Sequence, residues 1–195
     1  EVASNRRFVR PDGTVSFARG SRTTDPEARA AEVGIIDPWL RTFSLWDGQE
    51  AVCALHGYAV HPMSVYGQGK ISADFPGRAR DLMQKDFPEA LHIYASGASG
   101  NVTAGKWNPG TEESRELLAG RLHDAMRRAW AATTRHPLAQ ADFRSVPLAL
   151  GARNTPGHTE TVLRQRLSSA ERPFDRSESA MGLAWYERVR AGHRI

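Results

Sequence analysis

"WLRTFSLWDGQEAVCALHGYAVHP", residues 39–62, sets the fold. Leu40, Thr42, Ser44 and Trp46 alternate with Arg41, Phe43 and Leu45, the period of two that sends successive side chains to opposite faces of a strand. Asp47-Gly48 supplies turn chemistry and leads into a second, longer run from Glu50 to Val60. Pro62 closes that run, because proline has no N–H to give to a ladder. The stretch therefore predicts an antiparallel hairpin.

Downstream, "DFPGRARDLMQKDF" (74–87) reads as a helix. Pro76 suits its first turn, and Ala79, Leu82, Met83 and Phe87 fall on one stripe. "ALHIYAS" (90–96) reads as a third strand. Thr111 followed by Glu112 and Glu113 places a hydroxyl cap and two acids at a helix start, with Leu118, Leu122, Met126 and Ala129 marking a buried face to about Thr133. A connector follows at 136–143, then an expected strand over Phe143–Leu150. Two helical stretches come last, Thr159–Ala170 and Ser177–Ala191, separated by Pro173. Upstream, Pro11-Asp12-Gly13 makes a small hairpin of residues 8–17, and Ser21–Glu32 is either a loop or a short helix. The sum is an α/β fold, a mixed sheet with a β-hairpin and flanking helices.

The chain has 195 residues, 40% of them hydrophobic, enough to bury a real core. Its net charge of +4 is carried almost wholly by arginine, with lysine only at 70, 85 and 106. The arginines are dispersed and not interleaved with aromatics, so no nucleic-acid partner is expected. Cys53 stands alone, which excludes a disulfide framework. No apolar run approaches the length of a membrane span. The first residue, Glu1, and the closing "AGHRI" lead us to expect a piece of a longer protein.

"SGASGNVTAGKW" (96–107) spaces Gly100 from Gly105-Lys106 almost as a phosphate-binding loop does. Such a loop needs Ser or Thr after the lysine and a helix starting there. Trp107 holds that place, and Asn108-Pro109-Gly110 postpones the helix, so the phosphate reading fails. Gly97, Gly100 and Asn101 instead form a small polar loop at the end of a strand, a position suited to substrate contacts or simply to a solvent turn. His61 ends a strand just before proline and is either a buried structural residue or a zinc ligand. His56, five residues earlier, lies on the opposite strand face and cannot share its metal. Asp74 is either a helix cap or a carboxylate bracing a ligand or substrate. Arg6 can polarise a carbonyl, although most arginines here should be surface residues.

In order, "SNRR", "HPMS", "SADFPG", "GASGN" and the following helix resemble the catalytic region of the neutral, non-lysosomal ceramidase family, over roughly residues 3–132. The resemblance implies that residues 1–195 are a single partial catalytic domain of a zinc-dependent hydrolase of a linear amide. Its substrate class would be a lipid or small-molecule N-acyl amide, split into fatty acid and sphingoid base. His61 would be one ligand of a catalytic Zn2+, Arg6 would contact the substrate carbonyl, and Asp74 with Gly97, Gly100 and Asn101 would line or brace the site. A secreted or periplasmic setting is also implied. The chain departs from the family in lacking an upstream histidine-rich segment and downstream Glu and Tyr motifs. Asn101 stands where the family usually has Asp, and no serine can be assigned. A catalytic zinc takes three protein ligands and water; the isolated chain is therefore expected to be inactive and to bind zinc weakly. A glycoside or phosphoester hydrolase, or a noncatalytic binding module using the glycine loop and arginines, remains an open alternative.

Overall fold

A computed structural model describes residues 1–67 and 71–193. It divides into two compact units, residues 1–136 and 137–195. The first runs β1 (Ser4–Asn5), β2 (Phe8–Val9), β3 (Val15–Ser16), α1 (Pro26–Ala30), β4 (Arg41–Asp47), β5 (Glu50–Tyr58), α2 (Asp74–Asp86), β6 (Leu91–Ser96), β7 (Val102–Thr103), a 3-10 turn (Gly105–Trp107) and α3 (Glu112–Ala131). The second holds α4 (Glu160–Ser169) and α5 (Pro173–Arg190).

The expected hairpin is β4 and β5, paired antiparallel. Leu45 faces Cys53 but Trp46 faces Ala51, which leaves Val52 as the extra residue of a bulge. β6 adds to β5 in parallel, with Leu55 opposite Ile93 and Tyr58 opposite Ser96. Parallel pairing demands a crossover, and α2 supplies it. The three-stranded sheet is thus mixed, and the fold is α/β.

Alternation decides what each sheet face does. Thr42, Ser44, Trp46, Ala54, His56, Tyr58 and His92 turn toward α2 and α3, where Phe75, Met83, Leu118, Leu122 and Met126 form the core. Phe43, Leu45, Leu55, Leu91 and Ile93 occupy the other face and are exposed. α3 begins as its sequence dictates: Thr111 accepts from Ser114 N, and Ser114 Oγ accepts in return from Thr111 N.

Three expectations are corrected. Leu82 is exposed, so the buried stripe of α2 narrows to Ala79 and Met83, with Phe87 partly buried at the helix end. Phe143–Leu150 forms no strand: it finds no partner ladder, and Pro147 removes a donor. Pro173 does not separate two helices from outside but opens α5 at its first turn, where its missing N–H costs no bond. Within the second unit, α4 and α5 pack through Leu163 and Leu183, and Gly182 permits the approach: a Cβ there would meet Leu163 Cδ1 at 2.7 Å. Among the described residues no helix is long and apolar enough to cross a membrane.

Candidate site at the end of the parallel strand pair

The site begins with two strands of only two residues each. β1 pairs with β7 antiparallel, Ser4 opposite Thr103 and Asn5 opposite Val102. Just beyond that ladder Arg6 N donates to Asn101 O at 2.8 Å, and His61 N donates to Val102 O at 3.0 Å. Gly97 N donates to Tyr58 O at 3.1 Å. These bonds bring the backbones of Arg6, His61 and the 97–101 turn together where β5 and β6 end.

Each segment is pinned from behind. Asn5 accepts from Arg7 N through its side-chain oxygen and donates to Ile35 O, both near 2.8–2.9 Å, which fixes the turn carrying Arg6. Arg19, fully buried, donates through Nε to Ala28 O at 2.7 Å and through its terminal nitrogens to Ala31 O, Glu32 O and Asn5 O. It therefore ties the end of α1 to the strand before Arg6. The expectation that arginines are mostly surface residues misses this one. Burial depresses its pKa, since charge is costly to remove from water.

Asp74 works on the loop after His61. Its Oδ2 accepts from Ser64 N at 2.9 Å, and its Oδ1 accepts from the Ser64 hydroxyl and from Phe75 N. The residue adopts φ +51°, a left-handed conformation that only a strong local network holds in a non-glycine residue. Both oxygens of this buried carboxylate are thus committed to bracing the His61–Ser64 segment. Asn108, not singled out by sequence, completes the brace. Its amide nitrogen donates to Ser21 O and Ser64 O at 2.8 and 2.7 Å, and its oxygen accepts from Gly110 N and Ser114 Oγ. An Asn beside Pro-Gly looks like ordinary turn chemistry, so its local sequence carries no sign of the two distant partners, Ser21 and Ser64.

By contrast, the groups at the front are unspent. Arg6 Nε is buried yet has no hydrogen-bond partner among the described residues. The half-buried His61 ring and the exposed Asn101 amide also make no side-chain hydrogen bond among them. Chemically, this edge offers an uncommitted guanidinium, an imidazole and an amide. Tyr94, whose hydroxyl donates to Tyr58 O at 3.3 Å, is pushed up to about 12 by burial, so it stays protonated near neutrality.

The glycines divide sharply. A Cβ on Gly97 would lie 3.3 Å from Ala59 Cα, and one on Gly105 would lie 2.0 Å from Gly20 O, whereas one on Gly100 meets nothing. Lys106 directs its ammonium at the carbonyls of Arg29, Ala30 and Ala31, capping the C-terminal end of α1. The lysine of the phosphate-loop look-alike is therefore a structural cap.

A second polar chain lies deeper. Phe87 O can only accept, so His92 Nε2 carries the proton of their 3.2 Å bond. His92 Nδ1 is then an acceptor for His56 Nε2–H at 3.0 Å, and His56 Nδ1 accepts from the Thr42 hydroxyl at 2.8 Å. The network assigns one tautomer to both neutral rings. Burial, and then the neighbouring His92, lower His56 to about 4. Burial is also the main cause lowering His92. Among the described residues no group of three His, Cys, Asp or Glu assembles to hold a metal. No family model matches this chain, nor does any curated protein or solved structure.

Proposed function

We propose that residues 1–136 carry one wall of the active site of a ceramidase-like, zinc-dependent hydrolase that splits an N-acyl amide into a fatty acid and an amine. The observation that carries this reading is the meeting of Arg6, His61 and Asn101 on one strand edge, with Arg6 Nε buried and unpartnered. An unpaired guanidinium suits an amide carbonyl whose oxygen gains negative charge as the carbon is attacked, because its donors are not already spent on a protein acceptor. The exposed Asn101 amide offers a neutral donor on the same edge. Asp74 serves by positioning, through Ser64, the loop that follows His61.

His61 is offered as one zinc ligand. Three protein ligands are the rule for catalytic zinc, and the described residues do not make such a set. The remaining ligands in this reading come from residues other than those described.

The test uses the protein in its full length with N-acylsphingosine, following release of the free amine. Arg6→Ala is expected to lower kcat/KM by about 100-fold with unchanged thermal unfolding, while His61→Ala lowers zinc content. Hydrolysis of glycosides or phosphoesters with no action on N-acyl amides would overturn the reading. Unchanged metal content in His61→Ala would return that histidine to a structural role.

A further inference from the structure

The first unit also holds a pocket of about 660 Å³ between α3 and residues 33–40. This lies within the roughly 300–1,000 Å³ typical of small-ligand sites. The reason for the void is legible on α3. Leu122, Ala125 and Ala129 present one face of the helix, and two of these three side chains are a single methyl. Trp39, Leu40 and Ile36 complete the apolar lining, Leu40 and Ile36 also packing against the core. Trp39 keeps 68% of its surface exposed, an aromatic lip on the pocket.

The charged residues of the lining are two arginines and one glutamate. Arg121 and Arg128 also line the pocket, seven residues apart and so on the same helix face. Arg121 donates to Glu1 O at 3.0 Å and lies over the Trp107 ring. Among the described residues neither guanidinium forms an ion pair, unlike Arg127 of the same helix, which pairs with Asp86. Glu1 is the acidic residue of the lining, and its carboxylate opposes any anion there. An apolar slot whose two arginines outnumber its one carboxylate complements a ligand that has a hydrocarbon body and a negative head.

We propose that this pocket binds a single-chain aliphatic carboxylate, its tail between Trp39 and the alanine face of α3 and its head at Arg121 and Arg128. The pocket shares no residue with Arg6, His61, Asp74 or the 97–101 turn, so this inference does not rest on the amide-hydrolase reading. No bond is made or broken in it.

Dodecanoate is the probe, titrated into the whole chain by calorimetry and by the tryptophan fluorescence change that Trp39→Phe removes, with dodecanol and dodecyltrimethylammonium as head-group controls. Saturable binding of one dodecanoate per chain is expected, with both controls weaker. Ala125→Phe, which fills the slot, should weaken binding by about tenfold or more. Arg128→Gln, at an exposed position that folding does not need, should weaken it by about fivefold, and Glu1→Gln should strengthen it. If Ala125→Phe loses its fold by circular dichroism, Ala129→Leu takes its place. Absence of saturable dodecanoate binding, equal affinity for the three head groups, or full affinity in the folded, filled variant would each overturn the proposal.

Discussion

Among the described residues Arg19 carries a buried positive charge with no ion-pair partner, and backbone carbonyls answer it instead. Those carbonyls lie at and just past the end of α1, where the helix leaves acceptors unspent. Arg19→Met would orphan several of them at once and is expected to lower the unfolding free energy by about 3 kcal/mol in urea titration. Arg19→Lys should recover little, since one ammonium cannot reproduce a planar fork; a lysine variant as stable as the parent would refute the bridging role. The His56–His92 chain makes a second prediction. His56 is neutral in the folded chain down to about pH 4 but titrates near 6.5 when unfolded. The unfolded state therefore binds the extra proton, and stability is full above about pH 6.5 and lost as pH falls toward 4. The loss from His56 is about 3 kcal/mol, and His92 adds to it in the same direction. Glu89 pulls His92 upward, whereas Arg80 opposes its charging. His56→Gln should flatten the urea midpoint between pH 6.5 and 4; a parent midpoint constant over that range would contradict the buried neutral pair.

At the scale of elements, what was legible followed period and punctuation. The alternation in 39–46, the Asp47-Gly48 turn and the Thr111 cap each act over a few residues, so β4, β5 and the start of α3 could be read directly. β1 and β7 could not, because Ser4 and Thr103 pair across ninety-nine positions and two residues show no period. The same limit hid the brace of Asn108 and the burial of Arg19. For the candidate site, the motifs named residues without placing them, and the short β1–β7 ladder brings the backbones of Arg6 and Asn101 into contact. Spacing alone gave Asp74 several roles; only its bonds to Ser64 choose bracing. The glycine turn provides the test at this scale. Gly105→Ala, with a Cβ aimed at Gly20 O, should cost more than about 2 kcal/mol. Gly100→Ala should stay within about 0.5 kcal/mol, since its Cβ enters open space. A change in substrate or ligand affinity in Gly100→Ala without loss of stability would mark close approach by a bound molecule. Comparable destabilisation by the two variants would contradict the packing of Gly105 on residues 19–20.

Over the whole molecule, chemistry and core are unevenly distributed. Arg6, His61, the 97–101 turn, the histidine pair and the arginine-lipped pocket all fall within residues 1–136, and so does the main buried cluster. Residues 137–150 contain neither helix nor strand, and Leu138, Phe143 and Val146 stand 71%, 90% and 83% exposed. A segment whose backbone makes no ladder and whose side chains bury little gains almost nothing from remaining in one conformation. Proteases need such a backbone, because their clefts take an extended chain. Arg144 offers trypsin a basic side chain with 86% of its surface exposed in that segment, and its contact with Asp142 is a surface pair worth little. Limited trypsinolysis of the folded chain is therefore expected to cut first at Arg144, before the arginines within α2 and α3. Mass spectrometry should find a persisting product that begins at Glu1 and ends at Arg144. Its acid transition between pH 6.5 and 4 should match the parent's, because Thr42, His56, Phe87 and His92 all remain in it. First cleavage inside α2 or α3 would mean that the helices covering the sheet open more readily than the exposed connector, and would count against a core built as described.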